Sequence, residues 1–254
     1  MRILINSLQN FVPISLNEMN NVALMKRTDT KFIVNASQLI DILKCIKNDY
    51  KILEINKNRV MSYSSLYFDT SCNKFYSDHH NGKNNRIKVR IRKYLESNLC
   101  FLEVKQKNGK GETNKSRIPI QDFETCLSKS SKDFIHKTVL KDYELQPKLL
   151  NNFNRITLVN SESKERVTID LNLSYTVNKT LKSFNKLVVI EVKQEHFNRN
   201  SKIIQVLKSI RQNPYSISKY CIGMISLYND LKYNLFKTKL IKINNITTAQ
   251  LWNF

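Results

Sequence analysis

The chain has 254 residues, with 12 Phe and 11 Tyr and 41% hydrophobic content, enough to bury a sizeable core and too apolar for a disordered protein. Lys+Arg number 42 against 21 Asp+Glu, a formal net charge of +21, which calls for an anionic partner: nucleic acid, nucleotide, polyphosphate or a membrane surface. Five widely spaced cysteines without a C-x-x-C pair argue against a disulfide framework or a zinc motif, no stretch approaches the ~18 apolar residues of a membrane span, and "MRILINSLQNFVPISL" lacks the apolar run of a signal peptide, so a soluble, cytoplasmic protein is expected.

The chain is rich in Lys, Asn and Ile and holds only 4 Gly and 4 Pro, so the positions of its basic residues say more than their number. No repeat, low-complexity tract or Pro/Gly linker divides it. A single domain over residues 1–254 is expected, with a core over about 24–228 and a C-terminal extension over 229–254. "RTDTKFIV" (27–34) alternates with period two, the pattern of a half-buried strand, and sets Arg27, Asp29 and Lys31 on one face. "ASQLIDILKCIKN" (36–48) places Leu39, Ile42, Leu43 and Ile46 at helical spacing, with Asn35 or Ser37 as a cap. "SYSSLYFDT" (62–70) reads as a strand in which Tyr63, Tyr67 and Phe68 pack. His79 and His80 open "HHNGKNN", read as a polar turn that leaves them exposed.

In "NRIKVRIRKY" (85–94) the alternation points Arg86, Lys88, Arg90 and Arg92 one way and Ile87, Val89 and Ile91 the other. "CFLEVKQK" (100–107) separates Leu102 and Val104 from Glu103, Lys105 and Lys107. "NGKG" (108–111) lacks Walker-loop spacing and reads as a hairpin turn, returning through "ETNKSRIPI", where Lys115 and Arg117 share a face. "IQDFETCLSKS" (120–130) and "SKIIQVLKSIRQ" (201–212) read as helices. Between them, "ERVTIDLNL" (165–173) aligns Arg166, Thr168 and Asp170 against Val167, Ile169 and Leu171, and "LVVIEVKQ" (187–194) aligns Glu191 with Lys193. The expected fold is α+β: an antiparallel sheet with helices packed outside it.

One charged strand face is ordinarily just solvated, but here such faces recur in strand after strand. Same-face neighbours sit roughly 7 Å apart, and two unit charges at that distance repel by about 2.4 kcal/mol at an effective dielectric near 20. If the sheet closes into a barrel, these faces line a basic tunnel suited to a linear polyanion. Arginine forks match phosphate oxygens, and Glu191 could hold a divalent metal or simply pair with Lys193 or Arg166. Glu103 reads as a salt-bridge partner before a second metal ligand.

In chain order, "RTDTKFIV", "SLYFDT", "KVRIRKY", "LEVKQK", "NKSRI", "FNRI", "ERVTIDLNL", "VVIEVKQ" and "SKYCIGM" resemble the VTC domain, the polyphosphate-polymerase branch of the triphosphate tunnel enzymes. The resemblance implies an antiparallel barrel whose basic tunnel holds ATP and a growing polyphosphate chain, with Mn²⁺ or Mg²⁺ as cofactor and no nucleic acid as partner. Matched motif by motif, it implies phosphate-binding roles for Lys31, Arg90, Arg92, Lys105, Lys115, Arg117 and Ser218. Arg155, Arg166 and Lys219 would serve transfer itself, and Glu191 would bind the metal. One departure stands out: the family often has Tyr two residues before the arginine of "Y-x-R", and here Phe153 precedes Arg155. Two alternatives stay open. Triphosphatases and adenylate cyclases of the CYTH type begin on an acidic E-x-E-x-K strand, where this chain has Arg27, Asp29 and Lys31. A non-catalytic binder of polyphosphate or RNA would need only the charge.

Overall fold

The computed structural model describes residues 2–20, 27–110 and 112–247. Helix α1 (Arg2–Gln9), strand β1 (Val12–Ile14) and helix α2 (Leu16–Asn20) precede β2 (Thr28–Asn35). A 3-10 turn then opens α3 (Leu39–Ile46), and Asn35 caps it: its side chain accepts from Ser37 N–H while the Gln38 side chain accepts from Asn35 N–H, a reciprocal pair. There follow β3 (Lys51–Leu53), β4 (Met61–Asp69), α4 (Lys74–His80), β5 (Arg86–Tyr94), β6 (Leu99–Lys107) and β7 (Thr113–Ile120). The second half comprises α5 (Lys129–Val139), β8 (Gln146–Asn160), β9 (Glu165–Val177), β10 (Thr180–Phe184), β11 (Leu187–Gln194), α6 (Lys202–Ser209), α7 (Lys219–Leu227) and α8 (Lys237–Thr247).

The architecture is the expected α+β one. A sheet runs β2-β11-β9-β8-β4-β5-β6-β7, with each pair on this path antiparallel. The expectation of a closed barrel needs correction. The path ends at β2 and β7, and no register joins those two strands among the described residues. The edge of β2 is instead engaged by the segment before α7, where Tyr215 N–H donates to Lys31 O at 2.6 Å; a carbonyl so occupied is not open to a neighbouring strand. The sheet nonetheless curls strongly, because Lys105 on β6 feels the charges of Lys31, Glu191 and Asp29 on β11 and β2, near the far end of the path. The result is a trough.

The convex face is apolar. Phe32, Val34, Ile156, Leu158, Val167, Ile169, Val188 and Ile190 pack against α1, α3 and α6, and Val89, Ile91, Leu102 and Val104 pack against Phe75 and Ile135. Each such fully buried side chain contributes about 1.5–3 kcal/mol. The concave face is divided. One part bears the cations; the other is filled by Ile33, Tyr67, Leu149, Leu173, Tyr175 and Val189 under Tyr220, Met224, Leu240 and Ile243 of α7 and α8. Helices therefore lie inside the curl as well as outside it. Gly223 permits this, since a Cβ there would come under 3.0 Å from both Tyr175 and Leu149.

A β-bulge creates the divided face. The β8–β9 register shifts between Asn152 and Asn154, and Asn172 takes a positive φ of 53°. Asp170 therefore faces the trough, Leu171 the convex core, and Leu173 and Tyr175 the trough again. Two local readings also change. Residues 121–127 are not helical; α5 begins after Ser128, which accepts from Ser131 N–H, and Glu124 spends its carboxylate on Ser128 instead of a helix face. His79 and His80 close α4 instead of lying in an exposed turn: His80 is 4% exposed and accepts from Leu235 N–H, and burial pushes His79 down to about 3. In the hairpin 108–111, Lys107 pairs with Thr113; Gly111 lies outside the described residues, as do residues 24–26 of the expected core and 248–254 of the expected extension.

Candidate active site

Three carboxylates organise the trough. Asp170 accepts both prongs of Arg155, at 2.6 Å to Nε and 2.8 Å to Nη2, and also binds Lys219 Nζ. Burial opposes its charge, but Arg155 and Lys219 hold it well below the usual carboxylate range. Glu103 binds Arg90 Nη2 at 2.6 Å and Lys115 Nζ at 2.5 Å; burial is again outweighed, by Arg90, Arg92 and Lys115. Glu191 bridges Lys31 at 2.7 Å and Lys193 at 2.6 Å, and Asp29 reaches Lys193 at 3.4 Å. These pairs follow from register: Lys31 stands opposite Glu191, Arg155 opposite Asp170, and Arg90 opposite Glu103.

Other cations on the same face make no direct ion pair with a carboxylate among the described residues. Arg92 is 7% exposed, and its recorded hydrogen bond is to the neutral Ser65 hydroxyl at 3.3 Å. Burial lowers its pKa, with Arg90 and Arg155 adding to this against the opposing charge of Glu103. Its guanidinium lies 5.5 Å from the Tyr63 ring and 5.8 Å from the Phe153 ring, and those rings stack at 5.1 Å. Arg155 and Lys219 lie over the Phe153 ring as well. Tyr63 and Phe153 thus form an aromatic floor whose negative ring faces hold three cations in place. Lys88 donates to Ser218 Oγ at 3.0 Å. Lys105 and Arg166 are disfavoured as cations chiefly by burial, then by Lys31 and by Arg27 respectively. Arg117, exposed at the rim, lies 4.6 Å above Phe101.

Every residue picked from the sequence is on this face: Lys31, Arg90, Arg92, Lys105, Lys115, Arg117, Arg155, Arg166, Glu191, Ser218 and Lys219. The last two arrive on α7, whose N-cap is Ser218, accepting from Cys221 N–H at 3.4 Å. Tyr220, next along, donates to buried Asp69, and Asp69 also accepts from Phe75 and Tyr76 N–H, so α4 and β4 together seat α7. The sequence reading aligned Lys88 with the arginines of β5 but gave it no role. It also left unseen the clamp on Asp170 by Lys219, because nothing local announces that α7 lies in the trough.

The residues were tested against a divalent ion. Among the described residues no three His, Cys, Asp or Glu side chains converge into a complete cage. Glu191 nevertheless has hard oxygens, one on Lys31 and one on Lys193, that an ion would share with or take from those ammonium groups, and the buried Thr168 Oγ1, opposite it in register, has no hydrogen-bond partner among the described residues. One carboxylate and a hydroxyl, completed by substrate phosphate oxygens, is a fitting set for Mg²⁺ or Mn²⁺. No helix among the described residues is long and apolar enough to cross a membrane.

Solved structures resemble this chain, and one of them, from Hippeastrum, supports the fold. An adenylyl cyclase candidate from Hippeastrum, with dominant triphosphatase activity, is 15% identical, with 83% of this chain and 99% of that chain covered and a TM-score of 0.51. A candidate adenylate cyclase from Vibrio parahaemolyticus is 10% identical, with 78% and 98% covered and a TM-score of 0.46. No curated protein sequence matches. The VTC domain family model matches residues 26–228, and the chain belongs to the VTC-domain family.

Proposed function

We propose that this protein is a polyphosphate polymerase that transfers the γ-phosphoryl group of ATP to the end of a polyphosphate chain held in the basic trough. The observation that carries this reading is Arg92: a buried guanidinium with a neutral hydroxyl partner, beside Arg155, Lys219 and Arg90, whose carboxylates are already shared. Glu103 acts on Arg92 only at a distance, through charge it already shares with Arg90 and Lys115; a buried charge without a direct ion pair is costly, and a bound phosphate relieves that cost.

Phosphoryl transfer asks the protein to align donor and acceptor and to neutralise the non-bridging oxygens. The bond from the γ-phosphorus to the ADP oxygen breaks, a bond from that phosphorus to a terminal chain oxygen forms, and ADP leaves. The acceptor oxygen is already ionised, so no general base is needed. Arg90, Arg92, Arg155 and Arg166 project from strands, and Lys219 from the start of a helix, so they meet developing charge with little reorganisation. Lys31, Lys105, Lys115, Arg117 and Ser218 hold the remainder of the anion. A divalent ion at Glu191 would neutralise phosphate charge and orient its oxygens.

Hydrolysis of a triphosphate is the second reading, favoured by the approach of Asp29 and Glu191 to one ammonium, Lys193, and by the triphosphatase activity described for the Hippeastrum protein. Incubation with ATP and Mn²⁺ separates the two. Long-chain polyphosphate on a gel supports the polymerase, free phosphate alone supports hydrolysis, and no turnover with retained polyphosphate binding leaves a binder.

A further inference from the structure

We propose that Lys88 is a further phosphate-binding residue, forming with Ser218 a subsite at the α7 end of the trough. The inference rests on the polyphosphate reading above and adds a residue to it.

Lys88 differs from the cations whose charge is met by a carboxylate. Its ammonium donates to one neutral hydroxyl, Ser218 Oγ, at 3.0 Å. It continues the row of Arg90 and Arg92 along β5 and stands opposite Lys105 on β6, so a chain following that row meets Lys88 next. Ser218 accepts from Lys88 and from Cys221 N–H, which leaves its hydroxyl proton free to donate. It also caps α7, whose nine residues present first N–H groups that have no intrahelical acceptor. An ammonium and a hydroxyl 3.0 Å apart at the start of a helix, where Cys221 N–H is already capped but the N–H groups before it are not, suit a single phosphate group.

The groups around Lys88 are consistent with this role. Cys221, Tyr67, Lys105, Arg90 and His79 face it from α7, β4, β6, β5 and α4. Burial, with Lys105 and Arg90, pushes Lys88 down to about 8, while burial raises Cys221 and keeps His79 neutral near pH 7. An ammonium kept in such surroundings with no carboxylate partner among the described residues opposes folding, the mark of a residue retained for a ligand.

The test measures binding of inorganic tripolyphosphate by calorimetry to the full chain and to Lys88→Met, Lys88→Arg and Arg92→Ala, with thermal unfolding of each free protein. Lys88→Met is expected to bind about tenfold or more weakly at pH 7, the loss of one charge-assisted contact, without a lowered Tm. Lys88→Arg is expected to restore binding and to weaken less than wild type between pH 7 and 9. Lys88→Met binding within threefold of wild type, or losing affinity together with Tm and without rescue by arginine, overturns the assignment. Arg92→Ala losing affinity while Lys88→Met keeps it removes Lys88 alone; a wild type that does not bind removes the polyphosphate reading as well.

Discussion

Asp170→Asn is the most informative single change in the trough. The carboxylate is 2% exposed and neutralises Arg155 and Lys219 together. Asparagine has the same shape, so no cavity forms; what is lost is the charge that two buried cations share. Breaking a buried pair on one side costs about 3–5 kcal/mol. For a chain of this size each kcal/mol moves Tm by about 2–4 °C, so the free variant should melt about 6–20 °C lower. The same two cations are then free for phosphate. Tripolyphosphate should therefore bind the variant more tightly and, at the same free concentration, raise its Tm more than that of wild type, because the linkage gain, about 2.7 kcal/mol at 100 Kd, grows as Kd falls. Scanning calorimetry with and without the anion measures both effects. A variant as stable as wild type without ligand, or equal ligand shifts in the two proteins, would refute the idea that Asp170 stands in for phosphate.

Other outcomes follow from the same geometry. Gly223→Ala places a Cβ under 3.0 Å from Tyr175 and Leu149; overpacking of about 1–3 kcal/mol is expected, read as a lower denaturant midpoint, and an unchanged midpoint would mean α7 does not press on the sheet. Lys88 and Lys115 are pushed to about 8, mainly by burial, from an ordinary value of 10.5. The unfolded chain thus binds more protons between those values, so stability should rise from pH 8 towards pH 10 and tripolyphosphate should flatten the rise; a Tm falling from pH 7.5 to 9.5 in the free protein would contradict this. Phe153→Tyr adds a hydroxyl beside Arg92, Arg155 and Lys219, and should tighten tripolyphosphate binding by a few fold; weaker binding would mean the ring edge does not reach the anion. Glu191→Gln should weaken Mn²⁺ dependence of turnover at least tenfold, and unchanged dependence would remove it as the metal-binding carboxylate.

The strand faces were legible because alternation is local. Arg90 and Arg92 against Val89 and Ile91, or Glu191 against Ile190, can be assigned from ten residues at a time, and register then delivers the Lys31–Glu191 and Arg90–Glu103 pairs. Features that depend on distant parts of the chain were not legible. The extended β8 showed only its "FNRI" piece, since "KLLNNFNRITLV" mixes strand and polar residues. The bulge at Asn172 reverses which side chains face inward, and a single Asn in a strand does not announce it. Barrel closure failed as an expectation because the Tyr215 segment engages the edge of β2. Placement of α7 inside the curl depends on Gly223, Asp69 and Tyr220 meeting across most of the chain. Lys88 was visible as a member of a row, and its lack of a carboxylate only emerged once Glu103 was seen to serve Arg90 and Lys115.

The central claim is that the concave basic face receives a linear phosphate anion. Crystals of the full chain soaked with tripolyphosphate test it most directly. Difference density in contact with Arg92, Arg155 and Lys105 is the predicted result; an anion bound to exterior lysines, with the trough empty, would contradict the account.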